Sequence, residues 1–166
     1  MRIMPIKSRL LSKADSASLN EYNECIVDLI QHNKVKSMNN YIQHGHVSTY
    51  KHCQDVSYIS YLVCRMLKMD YCSAARGGLL HDLYLYDWHY EKPYKGMHGF
   101  MHPNVAFENA NRLFCLNEVE KDIIQKHMWP LTLQLPRFGE TVVVSLVDKC
   151  CATFEIFGNN RGVDII

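Results

Sequence analysis

The strongest constraint on this chain is the spacing of its apolar residues, which is helical almost throughout. Tyr22, Cys25, Ile26, Leu29 and Ile30 make one face of a helix that Asp15 or Ser16 would cap. A short helix through Met38, Tyr41 and Ile42 is expected to stop near Gly45. From about Ser48 to Lys68, Val56, Ile59, Val63 and Leu67 form one stripe, with His52 one turn before Val56. Asp70 or Ser73 opens the next helix, which runs through Ala74 and Ala75 to Leu79, Leu80, His81 and Asp82. Inside it, Gly77 and Gly78 each forgo about 1 kcal/mol of helix propensity relative to Ala, a pattern that marks close backbone packing. Pro103 suits the first turn of a helix through Val105, Phe107 and Leu113. Asn117 with Glu120 has the form of a capping box for a helix ending at His127. A last helix spans roughly Glu140 to Phe154; Thr141 to Val144 would suit a strand, but the apolar run continues too far for one.

Residues 84–101 break the pattern. Pro93, Gly96 and Gly99 punctuate them, and Tyr84, Tyr86, Trp88, Tyr90, Tyr94 and Phe100 make them aromatic. A loop of this length in a small domain is often functional. The 166 residues suit a single domain, and the formal charge of +1 predicts no broad attraction to nucleic acid or anionic membrane. Seven cysteines, an odd number without a C-x-x-C pair, are expected to be buried thiols in a reducing cytoplasm rather than a disulfide framework. No stretch approaches the roughly 18–20 apolar residues that span a bilayer, and residues 1–11 lack an uninterrupted apolar signal core.

Three features carry chemistry. They are His52 near a helix start, the doublet His81-Asp82 after an apolar stretch, and Asp148 within an apolar run from Val142 to Cys151. A carboxylate on the apolar face of a buried helix is costly to desolvate unless it is paired or binds a metal. Read from position alone, Asp148 also fits a solvated surface beside Lys149, and each histidine alone fits a satisfied core residue. The ordered set is much harder to assemble by accident.

That order, with the segments HCQDVSYISYLVCRML, AARGGLLHDLYLYDW, HGFMHP, EKDIIQKHMWPLT and VVVSLVDKCCA, resembles the HD superfamily of metal-dependent phosphohydrolases, and more closely its small stand-alone bacterial members. The likeness covers residues 20–155, so residues 1–166 are expected to be one HD domain with short extensions at both ends. It implies an all-α helical bundle with the metal site between central helices. It also implies His52, His81, Asp82 and Asp148 as ligands of a divalent ion, with His102 and His127 in the order of the ligands that hold a second ion in some subfamilies. His98 competes with His102 for that place, and His89 is a weaker competitor; His32, His44 and His46 read as surface residues. The mixed imidazole and carboxylate set suits Fe, Mn, Co, Ni or Zn better than Mg.

The implied activity is hydrolysis of a small phosphate ester or nucleotide by a metal-activated water that Asp82 positions. Lys95, His98 and Arg137 are the candidates for contacts to the substrate's phosphate. Many members carry a lysine three residues after the doublet's Asp, and here that position is Leu85. An HD-type di-iron oxygenase, or a non-catalytic metal-binding sensor, would use the same ligands. The aromatics Tyr84, Tyr86, Trp88 and Trp129 would be core residues or would stack on a nucleobase.

Overall fold

The computed structural model describes residues 16–91 and 93–157. Among them are seven α-helices, a 3₁₀ turn and one small hairpin, so the expected all-α architecture is what the chain adopts. The elements are α1 (Ser16–Gln31), α2 (Asn33–Lys36), the 3₁₀ turn (Ser37–Asn40), β1 (Ile42–His44), β2 (Val47–Ser48), α3 (Thr49–Met66), α4 (Tyr71–Leu80), α5 (His98–Leu113), α6 (Glu118–Lys126) and α7 (Gly139–Phe157). No helix of the described residues is long and apolar enough to cross a membrane.

Local chemistry sets the helix starts. The Ser48 hydroxyl accepts the Lys51 N–H at the head of α3, and the Asp70 carboxylate accepts the Ser73 N–H at 2.9 Å at the head of α4. The capping box forms in full: Asn117 Oδ1 accepts the Glu120 N–H at 2.8 Å, and Glu120 Oε2 accepts the Asn117 N–H at 3.0 Å. The other Glu120 oxygen takes Arg76 Nε at 2.7 Å, and Arg76 also pairs with Asp28, which ties α1, α4 and α6 together. The expected cap of α1, the side chain of Asp15 or Ser16, lies outside what the structure describes.

α3 and α4 form the most extensive pairing and stand at the centre of the bundle. Their backbones approach closely where Gly78 meets α3: a Cβ there would lie 2.9 Å from Ser57 Cα. On one side, α1, α3, α4 and α5 enclose Tyr22, Ile26, Leu29, Tyr61, Leu79, Leu80 and Ala106. On the other, α3, α4, α6 and α7 enclose Val56, Cys64, Ala74, Ile123, Val144 and Cys151.

Four expectations change. The helix through Met38 and Ile42 is instead the 3₁₀ turn followed by β1, because Gly45 at φ 58° turns the chain back into β2 and the Thr49 N–H closes on the Tyr41 carbonyl at 2.8 Å. The alternation of a strand then puts Ile42 outside and Gln43 inside. The α3 stripe is rotated: His52, Cys53, Val56, Ser57, Ser60, Tyr61 and Cys64 are buried, whereas Leu67 is 59% exposed. Polar residues face inward there because they find partners; Tyr22 donates to Ser57 Oγ, and Ser57 donates to the Ala75 carbonyl at 2.6 Å. Helix α5 begins at His98, so Pro103 lies in its second turn and removes only one early backbone hydrogen bond. Finally, Cys25 on α1 and Cys72 on α4 form a disulfide, since the packing of these helices brings their Cα atoms to 5.3 Å. Cys53, Cys64, Cys115 and Cys150 are free.

Candidate metal centre

Five elements deliver polar side chains to one buried point. His52 comes from the first turn of α3, and His81 and Asp82 follow the last turn of α4. His102 lies one turn into α5, His127 ends α6, and Asp148 sits midway along α7. All six are at most 8% exposed. His52 Nε2 is 3.0 Å from Asp148 Oδ1, and His81 Nε2 is 3.6 Å from the same oxygen and 3.5 Å from Asp82 Oδ2. Asp82 Oδ1 lies 3.1 Å from His102 Nε2 and 3.5 Å from His127 Nε2.

The tautomers follow from the outer contacts. His81, His102 and His127 each place Nδ1 against a backbone carbonyl, of Gly78 at 2.7 Å, His98 at 2.8 Å and Ile124 at 3.0 Å. A carbonyl only accepts, so each Nδ1 carries the proton and each Nε2 turns to the cluster. His102 Nε2 and His127 Nε2 then face one another at 2.8 Å. Two lone pairs cannot rest at that distance without a proton or a cation between them. His81 Nε2 and Asp82 Oδ1 are buried without a hydrogen-bond partner, a costly arrangement for groups of this kind. His52, His81 and Asp148, and likewise His81, Asp82 and His127, offer ligand atoms within 4.8 Å of one another. A cation among these atoms would satisfy the two orphaned ones, so the buried His and Asp groups could hold a metal ion.

Charge is concentrated here. Burial pushes the His52 imidazolium down, but the carboxylates of Asp148 and Glu155 more than offset it and raise it to about 10. Burial opposes charge on His81 too, yet Asp82 and Asp148 hold it well above the ordinary histidine range. Burial likewise disfavours the ionised forms of Asp82 and Asp148, and the facing imidazoles outweigh it, so both stay below the usual carboxylate range. His127 is lowered to about 3, first by burial and then by the charge of His81 and His102.

Several participants carry no obvious sequence signal. Gln43, projecting inward from β1, donates from Nε2 to Asp82 Oδ2 at 2.6 Å. Its Oε1 in turn accepts from Tyr84 and from Thr49. Glu155 on α7 receives His52 Nδ1 at 3.0 and 2.9 Å from its two oxygens. Its spacing of seven residues from Asp148, two helical turns, was the available clue. His44, expected at the surface, is half-buried with its ring perpendicular to that of His52 at 5.8 Å, because β1 runs alongside α3 and α7. Lys149 Nζ donates to the His127 carbonyl at 2.8 Å and to Ser145, bracing the end of α6 against α7.

His98 stays outside the ligand cluster. Its ring stacks on His102 at 4.6 Å and on Trp88 at 4.9 Å, and its Nδ1 accepts from the Tyr94 hydroxyl at 2.7 Å. Burial, then the neighbouring His102, lowers it to about 4. Lys95 is exposed. Arg137 is exposed as well, with its guanidinium over the Phe138 ring at 5.5 Å and its backbone N–H on Asp122. His89 is exposed beside Asp87, and His32 caps α2 by accepting the Lys34 N–H. Of the aromatics, Tyr84 and Tyr86 are buried, and Trp88 and Trp129 are partly buried. Comparisons with known protein families, with curated proteins and with solved structures find no match to this chain.

Proposed function

We propose that the chain is an HD-type metal-dependent phosphohydrolase acting on a small phosphate ester or nucleotide. The observation that carries the reading is the meeting, at one buried point, of His52, His81, Asp82, His102, His127 and Asp148, the six side chains the HD resemblance implies. His52, His81, Asp82 and Asp148 would hold one ion; His102, His127 and the second oxygen of Asp82 would hold another. Fe, Mn, Co, Ni or Zn, each better matched than Mg to these donors, would supply a Lewis acid and a bound water of lowered pKa.

The chain's own residues do the positioning. Gln43, held by Tyr84 and Thr49, fixes the plane of the Asp82 carboxylate and leaves Oδ1 without a hydrogen bond. Asp82 would therefore position the attacking water. His98, stacked over His102 and half-buried, is the best placed of the three candidates for a phosphate contact. Beside the Cys25–Cys72 pair, the free thiols of Cys53, Cys64, Cys115 and Cys150 support a reducing, cytoplasmic setting for such an enzyme.

One observation favours a second reading, an HD-type di-iron oxygenase. Leu85 packs its side chain against the apolar core at the position where a phosphate-binding lysine is expected, while Lys149 spends its donors on His127 and Ser145. The test is a phosphate-release screen over nucleotides and phosphomonoesters with the Mn(II)- and Co(II)-loaded protein, with oxygen uptake measured on the Fe(II) form. Turnover of a phosphate ester that disappears in Asp82→Asn supports the proposal. Its absence, with oxygen uptake in the Fe(II) form, favours the oxygenase.

A further inference from the structure

Each cluster histidine is oriented through its Nδ1, and one is oriented differently from the rest. His81, His102 and His127 donate to neutral carbonyls three or four residues back in their own helix or turn. His52 instead faces both oxygens of the Glu155 carboxylate, 103 residues away in sequence and on another helix. Glu155 follows Asp148 by two turns of α7. One helix thus sets a carboxylate at each nitrogen of the same ring, Asp148 at Nε2 and Glu155 at Nδ1.

The Glu155 side chain is only 9% exposed, so solvent screens its charge weakly. A carboxylate that accepts the Nδ1–H of a ligating histidine fixes the ring and strengthens Nε2 as a donor. The negative charge is therefore unevenly shared. Asp148 and, behind His52, Glu155 stand on the His52 and His81 side. The His102 and His127 side has Asp82 alone, and shares it.

Resting on the metal-binding reading above, we infer that Glu155 is a positioning residue for His52 that makes the centre asymmetric. Divalent cations then load it in two unequal steps, first among His52, His81, Asp82 and Asp148, and second at His102 and His127. Glu155 governs the first step and leaves the second nearly untouched.

The test is a Co(II) titration of the full chain, followed by calorimetry and by the visible absorption of the bound ion, for wild type, Glu155→Gln and Glu155→Ala. Far-UV circular dichroism confirms that each variant is folded. Gln keeps an acceptor for Nδ1–H without the charge, and Ala removes both. The expected result is two steps in wild type, with the first weakened about 10-fold in Gln and up to about 100-fold in Ala, and a changed absorption band for the first ion only. Equal weakening of both steps, or an unchanged first step in both variants, overturns the inference while leaving the metal centre standing. A wild-type chain that binds no Co(II) overturns the metal reading and this inference with it. If Ala does not fold, the Gln variant alone decides, since its shape is nearly that of Glu.

Discussion

Replacing Gly78 with Ala tests how closely α3 and α4 must approach to bring His52 and His81 together. The added Cβ would lie 2.9 Å from Ser57 Cα and 3.2 Å from Ser57 N. Both are backbone atoms of a packed helix, so neither yields by a rotamer change. Reaching ordinary contact at about 3.5–4.0 Å means parting the helices by roughly 0.5–1 Å. Overpacking of this kind costs about 1–3 kcal/mol. The better helix propensity of Ala offsets about 1 kcal/mol of that. A net loss of about 1 kcal/mol lowers Tm by about 2–4 °C in a chain of this size. The same separation moves His81, whose Nδ1 is held by the Gly78 carbonyl at 2.7 Å, away from His52. Divalent-ion affinity should therefore fall about 10-fold, the usual result of disturbing an outer-sphere contact. Gly99→Ala is the control of opposite sign, since its nearest neighbours would be the side-chain ends of Leu131 and Met128 at 3.5 and 3.6 Å. It should gain about 0.4–1 kcal/mol. Thermal unfolding followed by circular dichroism, with a Co(II) titration, reads both effects. A Gly78→Ala protein as stable as wild type, with unchanged Co(II) affinity, would refute the close-approach argument.

Removing the α6 cap with Asn117→Ala should cost about 1 kcal/mol, read as a lower urea midpoint at unchanged slope; no shift would show that the capping box contributes nothing. Asp122 supplies a pH prediction. Burial raises its pKa, but Lys126, Thr141 and the Arg137 backbone N–H outweigh burial and hold it below the ordinary 3.8. A depressed folded value means that its stabilisation is complete above about pH 4 and is lost as pH falls through the folded value. Asp122→Asn should therefore destabilise the protein more at pH 7 than near pH 2, as urea unfolding at the two pH values would show; an equal loss at both would count against this role of Asp122. Gln43→Leu should leave the Asp82 carboxylate without its donor and weaken divalent-ion binding about 10-fold with far-UV circular dichroism unchanged; unaltered binding would remove Gln43 from the centre.

The bundle was legible because its helices announce themselves by apolar period and by caps. Asp70 and the Asn117–Glu120 pair act as their residue types dictate. His52, His81, Asp82 and Asp148 were legible for a different reason: their order and neighbours resemble a known arrangement, and the fold brings them within reach of one another. What stayed hidden has physical causes. Gln43 faces inward only because Gly45 converts an apolar, helix-like segment into a hairpin, and one left-handed residue leaves no periodic trace. Ser57 faces inward through its hydrogen bond to Ala75 on α4, and Tyr61 through those to Ser18 and Glu21 on α1, which an apolar stripe cannot register. Cys25 and Cys72 meet through the packing of α1 on α4, a relation between helices that residue counting does not contain. In sequence His102 was the expected ligand and His98 its competitor for that place. In the fold a one-turn difference along α5 sends His102 to Asp82 and His127, and His98 to the tyrosine hydroxyls.

The central claim is that the six buried side chains form a divalent-metal centre. Its most direct test is the metal content of freshly purified protein, measured by mass spectrometry for wild type and for His81→Ala, alongside a Co(II) titration of each. The expected result is about one to two transition-metal ions per folded wild-type chain, and loss of most of that metal in a His81→Ala protein that still shows helical circular dichroism. Wild type with no bound metal and no measurable Co(II) binding, or a variant that binds as wild type does, would contradict it.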